Sequence, residues 1–265
     1  MKVDLEGGTV DALVKGEGRP LILLHSLLSD RGSWVRVEDE LAKRFRVVIP
    51  ALPGFGGSSA MTSSEGNGGG IAAIADRIAG LIRHVWKGGG EKPILLGNGF
   101  GSFVALQVAI RHPDLVGKLI VAAGGARFSE PGREALRNMA NAAQAKGLAG
   151  IADVAMRRLF APEYQDAHPE LMADRRQAFL KTDPAMVQMA SAELVAMDMS
   201  EAVKRIAVPL LVMCGEQDEA TPPEMARELS KLVPNAKLVE LPGCAHVPQL
   251  QKPQEFLAAI SGFLA

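Results

Sequence analysis

The sequence predicts an α/β fold: a mostly parallel central sheet flanked by helices and carrying a helical cap. Three observations carry this expectation. Short apolar runs alternate with helical patterns, as they do where crossover helices cover both faces of a parallel sheet. The alternation breaks once, between about Arg127 and Arg205, where only helical pieces occur. Finally, LLGNGFGSFVAL, from Leu95 to Leu106, runs from an apolar strand through a glycine-rich corner into an apolar helix.

Strands are expected at Val10–Val14, Leu21–His25, Arg46–Ala51, Pro93–Asn98, Lys118–Ala123, Pro209–Gly215 and Lys237–Leu241. Ile71, Ile74, Ile78, Ile82 and Val85 recur at helical spacing and give a helix with one buried stripe. The helix Gly101–Arg111 is apolar nearly all round, so it should be central and covered. Phe256, Leu257, Ile260 and Phe263 mark the last helix, which Pro253 starts well. The glycine-rich stretches Gly66–Gly70 and Gly88–Gly90 read as loops. Residues 1–126 and 206–265 then form the core. Residues 127–205 form a helical cap, or lid, inserted between core strands six and seven. Met186, Met189, Met197 and Met199 fall late in that insert. Their adaptable side chains suit a lid over an apolar pocket, and ordinary helix packing accounts for any one of them equally well.

Composition narrows the function. At 265 residues the chain can bury a sizeable core, and 48% hydrophobic with 22% charged residues is ordinary for a globular enzyme. A net charge of −1 without a basic cluster argues against a nucleic-acid surface. No apolar run approaches membrane-spanning length, and the start MKVDLEGGTVD lacks a secretory apolar core. Cys214 and Cys244 make no disulfide framework, so free buried thiols in a reducing cytoplasm are expected. The expectation is a cytoplasmic monomer or homodimer acting on a small molecule, with no nucleic-acid or membrane partner, no cofactor and no metal.

The corner has the layout of a nucleophile elbow, G-x-S-x-G on a tight strand-to-helix turn. Its register reads Gly97-Asn98-Gly99-Phe100-Gly101, so glycine stands in the serine position. Acyl transfer needs a base beside the nucleophile, an acid to orient the base, and donors for the oxyanion. LLVMCGEQDEATPP supplies a strand and then Asp218 on its loop; KLVELPGCAHVPQLQKP supplies another and then His246. Both follow the corner in the order nucleophile, acid, histidine. Upstream, PLILLHSLLSD ends a strand at His25 and opens a loop whose backbone N–H groups could serve an oxyanion hole.

At these residues the chain resembles the α/β-hydrolase superfamily, and within it the 3-oxoadipate enol-lactonase branch. The matching stretches are HSLLSD from His25, LPGFGGS from Leu52, GEQDEATPP from Gly215, PGCAH from Pro242 and, in the insert, KTDP from Lys181. The resemblance implies the α/β-hydrolase fold, with Asp218 as triad acid and His246 as triad base. It also implies oxyanion donors from the backbone N–H groups of Leu27 and Phe100, and makes Ser26 an oxyanion-loop residue. A small ester or lactone from aromatic catabolism is the implied substrate. His25 and Ser26 are candidates for substrate contact. Two departures stand out: Gly99 at the nucleophile position, and Ala51 where the family usually has aspartate before its turn.

Other residues have plainer readings. His84 on an amphipathic helix and His168 beside Pro169 suit solvated surface, and His112 suits a helix end. Ser102 sits one turn inside the helix, and Cys244 reads as inert. Gly97-x-Gly99-x-x-Ser102 resembles a degraded dinucleotide-binding loop. That motif wants an acid near the end of the next strand, which here reads LIVAAGG.

Loss of a triad serine costs about 10⁶ in kcat, or about 8 kcal/mol of barrier lowering. An enzyme that needs an acyl intermediate could not absorb that loss. Gly99 is then an introduced change that traps substrate, or native to an enzyme using His246 and Asp218 as a general-base dyad, hydrolytic or of lyase or oxygenase type. The third reading is a catalytically silent ligand-binding protein. Glycine also relaxes the strained elbow and leaves space for a water.

Overall fold

A computed structural model describes residues 1–61 and 70–265. All of the expected loop Gly66–Gly70 except Gly70 lies outside the described residues. The strands are β1 (Lys2–Leu5), β2 (Gly8–Lys15), β3 (Pro20–Leu24), β4 (Arg46–Pro50), β5 (Ile94–Asn98), β6 (Lys118–Ala122), β7 (Leu210–Gly215) and β8 (Ala236–Leu241). They form one sheet in the order β1-β2-β4-β3-β5-β6-β7-β8, antiparallel at β1-β2 and β2-β4 and parallel from β4 onward.

Every residue of β3, β5 and β7 is buried, which is why PLILL, ILLGN and LLVMCG read as continuous apolar runs. Alternation survives in which face each residue serves. Ile22 and Leu24 join one core cluster while Leu21 and Leu23 join the other, across the sheet. β1 was not expected. Its four residues carry only two apolar side chains, too few for a pattern, and a tight connection closing on the pair Leu5 and Gly8 holds it against β2.

Helix α1 (Glu38–Ala42) follows the β3 loop, and α2 (Ile71–Val85) buries the expected isoleucine stripe against α3 (Phe100–Arg111). Between β6 and β7 come α4 (Glu130–Leu159), broken at Gly147, then α5 (Pro162–Ala167), α6 (Pro169–Leu180) and α7 (Pro184–Ala196). In residues 127–205 the one β-type pairing is an isolated antiparallel bridge, Arg127 with Asp198, which ties the two ends of the insert together. Helices α8 (Pro223–Leu232), α9 (Pro248–Gln251) and α10 (Pro253–Leu264) complete the chain, with Phe256 and Ile260 fully buried under α10.

Two features fix the carboxyl end of the sheet. A Cβ on Gly101 would lie 2.6 Å from the Leu24 carbonyl carbon and 2.7 Å from the His25 carbonyl oxygen, so only glycine lets α3 approach β3 this closely. The second is His25, which is fully buried. Its Nδ1–H donates to the Ser26 carbonyl at 2.9 Å, and its Nε2 accepts the Leu52 N–H at 3.0 Å. Only the neutral ring can make both bonds. Burial pushes its pKa down from 6.5 to about 4.

Each feature gives a test. Gly101→Ala sets a methyl group against backbone that cannot rotate away, and is expected to cost about 3 kcal/mol in a urea unfolding titration. For His25, the unfolded chain binds a proton below about pH 6.5 that the folded chain refuses down to about pH 4. The contribution is complete above pH 6.5 and is lost as pH falls toward 4, by on the order of 3 kcal/mol. Unfolding titrations at pH 7, 5.5 and 4.5 should show a shallower decline for His25→Gln than for the native chain, and parallel declines would refute the assignment.

Candidate active site

The chain turns to β4 on one side of β3 and to β6 on the far side of β5, so β3 and β5 flank a topological switch point. In open α/β sheets ligands bind in the crevice outside the carboxyl ends of such strands. The loops after β3, β5, β7 and β8 meet there.

Gly99 is the corner between β5 and α3, with φ 54° and ψ −121°, a conformation costly for any residue with a side chain. Its N–H donates to the Ala122 carbonyl at 3.0 Å, and its carbonyl accepts the Ser102 hydroxyl at 2.6 Å. Ser102 is thereby occupied inside the helix start. Asn98, one residue earlier, donates from Nδ2 to the His246 carbonyl at 2.8 Å, and its Oδ1 accepts Gln249 Nε2 at 3.0 Å.

After β7, Asp218 is buried and its carboxylate collects four donors. Oδ1 accepts the N–H groups of Ala220 and Thr221 at 2.8 and 2.9 Å. Oδ2 accepts the Thr221 hydroxyl at 2.8 Å and lies 2.9 Å from His246 Nδ1. A carboxylate so surrounded cannot turn away, and it fixes the imidazole tautomer with the proton on Nδ1. Thr221 was missed in the sequence. The signal was its place three residues after Asp218, where a hydroxyl and an N–H return to a carboxylate in a local turn.

His246 presents its other nitrogen, Nε2, to the corner. An ideal Cβ on Gly99 would lie 2.5 Å from it. The hydroxyl nearest to Nε2 belongs to Ser26, with Oγ at 3.2 Å. Around this point a cavity of about 40 Å³ is walled on the core side by Leu27, Leu28, Phe100 and Phe103, and on the insert side by Leu136, Met139, Arg158 and Leu194. Among the described residues the N–H groups of Leu27 and Phe100 have no acceptor. Among the described residues lining the cavity, Arg158 is the one Lys or Arg side chain, set among largely apolar neighbours. It is half-buried, and burial depresses its pKa against the opposing pull of Asp218 and Glu219.

The expected residues Ser26, Leu27, Gly99, Phe100, Asp218 and His246 therefore converge, while His25 lies outside the cavity lining with both ring nitrogens bonded to backbone. His112 pairs with Asp76 at 2.7 Å, and His168 stacks on Tyr164 with ring centroids 3.9 Å apart, so neither reaches the site. Cys214 and Cys244 are buried free thiols, each pushed up to about 12 by burial and thus poor nucleophiles. Among the described residues no cluster of three His, Cys, Asp or Glu side chains could hold a metal ion, and no helix is long and apolar enough to cross a membrane.

Comparison with known proteins agrees with this architecture. Residues 21–259 match the alpha/beta hydrolase family model. Among curated relatives, the pimeloyl-[acyl-carrier protein] methyl ester esterase of Chromobacterium violaceum is 29% identical, covering 94% of this chain and 95% of that protein. A thermophilic esterase from Thermogutta terrifontis, solved with malate bound, superposes with a TM-score of 0.87 at 28% identity over 100% of this chain and 98% of its own. The enol-lactonase of Burkholderia xenovorans does so with a TM-score of 0.90 at 25% identity, covering 100% and 99%. With a family model spanning six of the eight strands and the whole insert, the chain belongs to the alpha/beta hydrolase family.

Proposed function

We propose that this chain hydrolyses a small ester or lactone, with His246 as general base and Asp218 as the acid that orients it. The observation that carries this reading is the buried Asp218–His246 pair, whose Nε2, with Ser26 Oγ at 3.2 Å, faces a cavity edged by two N–H groups without acceptors. Those N–H groups, from Leu27 and Phe100, suit the oxyanion that develops when a carbonyl is attacked, and such donors are worth about 10²–10³ each in kcat. Gly99 occupies the elbow position where this family carries its nucleophile. The names of the relatives support the reaction class: methyl ester, ester and enol-lactone hydrolysis share one carbonyl chemistry.

The insert works as a lid. A 40 Å³ cavity admits water but not an ester, since small-molecule sites run to ~300 Å³ or more. On this reading Leu136, Met139 and Leu194 are the side chains that move to admit substrate. Arg158 makes the wall favourable to a substrate that carries a carboxylate beyond its ester, because a guanidinium pairs with a carboxylate in bidentate fashion.

Steady-state hydrolysis of short p-nitrophenyl esters, a dicarboxylate monomethyl ester and an enol-lactone tests the reading. His246→Ala is expected to lower kcat/KM by at least about 10³, and Asp218→Asn by about 10⁴ through the wrong tautomer. A native chain without turnover, or one indifferent to His246→Ala, refutes it. Arg158→Met should raise KM for the monomethyl ester about tenfold or more and leave the neutral esters nearly unchanged; equal effects on both would remove Arg158 from recognition.

A further inference from the structure

We infer that Ser26 is the nucleophile, so that the chain holds a complete Ser–His–Asp triad whose serine comes from the loop after β3 instead of the corner after β5. This rests on the hydrolase reading of the same site. Three observations carry it.

The first is reach. Ser26 Oγ lies 3.2 Å from His246 Nε2, and His246 Nδ1 lies 2.9 Å from Asp218 Oδ2. Nucleophile, base and orienting acid thus stand in line within hydrogen-bond distance, the arrangement that defines an activated serine. With Nδ1 protonated toward Asp218, Nε2 is the acceptor and the Ser26 hydroxyl the donor.

The second is place. A Cβ built on Gly99 would lie 2.8 Å from Ser26 Cβ and closer still to Ser26 Oγ. The Ser26 hydroxyl therefore fills the space that a corner side chain would take. The absence of a side chain at 99 and the inward turn of Ser26 are one packing solution, because a side chain at 99 would have to displace Ser26 from its present position. Leu27 is the next residue and Phe100 borders the corner, so both free N–H groups still edge the point of attack.

The third is rigidity. The Ser26 carbonyl accepts His25 Nδ1–H at 2.9 Å and the Ser29 N–H at 3.3 Å. Its loop is further tied to the insert by Arg175, which pairs with Asp30 at 2.7 Å. The hydroxyl is thus held on a fixed backbone, as a nucleophile must be.

The step balances without any co-reactant but water. Ser26 Oγ bonds to the carbonyl carbon as its proton passes to His246 Nε2, and the carbonyl electron pair moves onto the oxyanion. When that pair returns, the ester C–O bond breaks and the alkoxide takes the proton from Nε2. Water then gives its proton to Nε2 and its oxygen to the acyl carbon. Ser26 Oγ leaves with the proton back, releasing the carboxylic acid.

The test is covalent labelling of the native chain with a fluorophosphonate, read by intact mass and peptide mapping, beside turnover of p-nitrophenyl acetate. The expected result is one label on Ser26, lost in His246→Ala, and a fall in kcat of at least about 10³ in Ser26→Ala. Gly99→Ser alone crowds Ser26 and His246 and should lower activity, whereas Ser26→Gly combined with Gly99→Ser should move the label to residue 99. Turnover that depends on His246 but persists within threefold in Ser26→Ala, with no label on the native chain, overturns the Ser26 assignment and leaves the hydrolase reading with a directly activated water. A large rise in activity from Gly99→Ser alone also overturns it. A native chain that neither labels nor turns over removes both.

Discussion

The structure depends on how closely three backbones can approach at the corner between β5 and α3. A Cβ at Gly97 would meet the Ser102 α-carbon at 2.5 Å, and one at Gly101 would meet the end of β3. With hydrogen in both places, α3 starts directly against β3, and the Gly101 N–H donates to the His25 carbonyl at 3.0 Å. That bond sets the loop after β3 in register with the corner after β5. Two stretches of chain more than 70 residues apart in sequence thereby place the Leu27 and Phe100 N–H groups at one cavity. Donors fixed in this way suit the oxyanion role proposed for them.

His246 is gripped on every side that does not face the cavity. Its N–H donates to the Leu159 carbonyl at the end of α4, and its own carbonyl accepts Asn98 Nδ2. Its ring is held by Asp218, and Asp218 by Thr221. His246 is thus joined to the sheet through Asn98 and to the insert through Leu159. A second tie runs from Arg175 on α6 to Asp30, with the Arg175 side chain only 9% exposed. Arg175 also pairs with Asp174, so its charge stays compensated on the insert side. The insert is thus tied both to the loop after β3 and to the loop after β8.

Electrostatically the site is sparse. The Asp218 carboxylate is surrounded by donors, Arg158 stands near it across the wall, and the remaining lining is largely apolar. In such surroundings a charge that develops on an oxyanion or imidazolium is weakly screened, and fixed dipoles act strongly on it. His25 illustrates the opposite use of the same residue type. Fully buried and bonded to backbone through both nitrogens, it is held neutral and serves as a brace for the loop that carries Ser26 and Leu27.

Much of this was legible in the sequence, because its signals are local. Continuous apolar runs marked the buried strands, the isoleucine stripe marked α2, and the loss of strand patterning marked the insert. The glycine corner and the loops that carry Asp218 and His246 were readable from turn chemistry at the ends of apolar runs. What tertiary structure decided were contacts whose partners lie far apart in sequence. That Ser26 turns toward His246, 220 residues away, depends on a loop braced by His25 and on the room left by Gly99. That Arg158 enters the wall follows from where α4 runs, and that His25 does not follows from the two backbone bonds that hold its ring. Side-chain direction in a loop is set by packing from several elements at once, and no spacing within the chain encodes it.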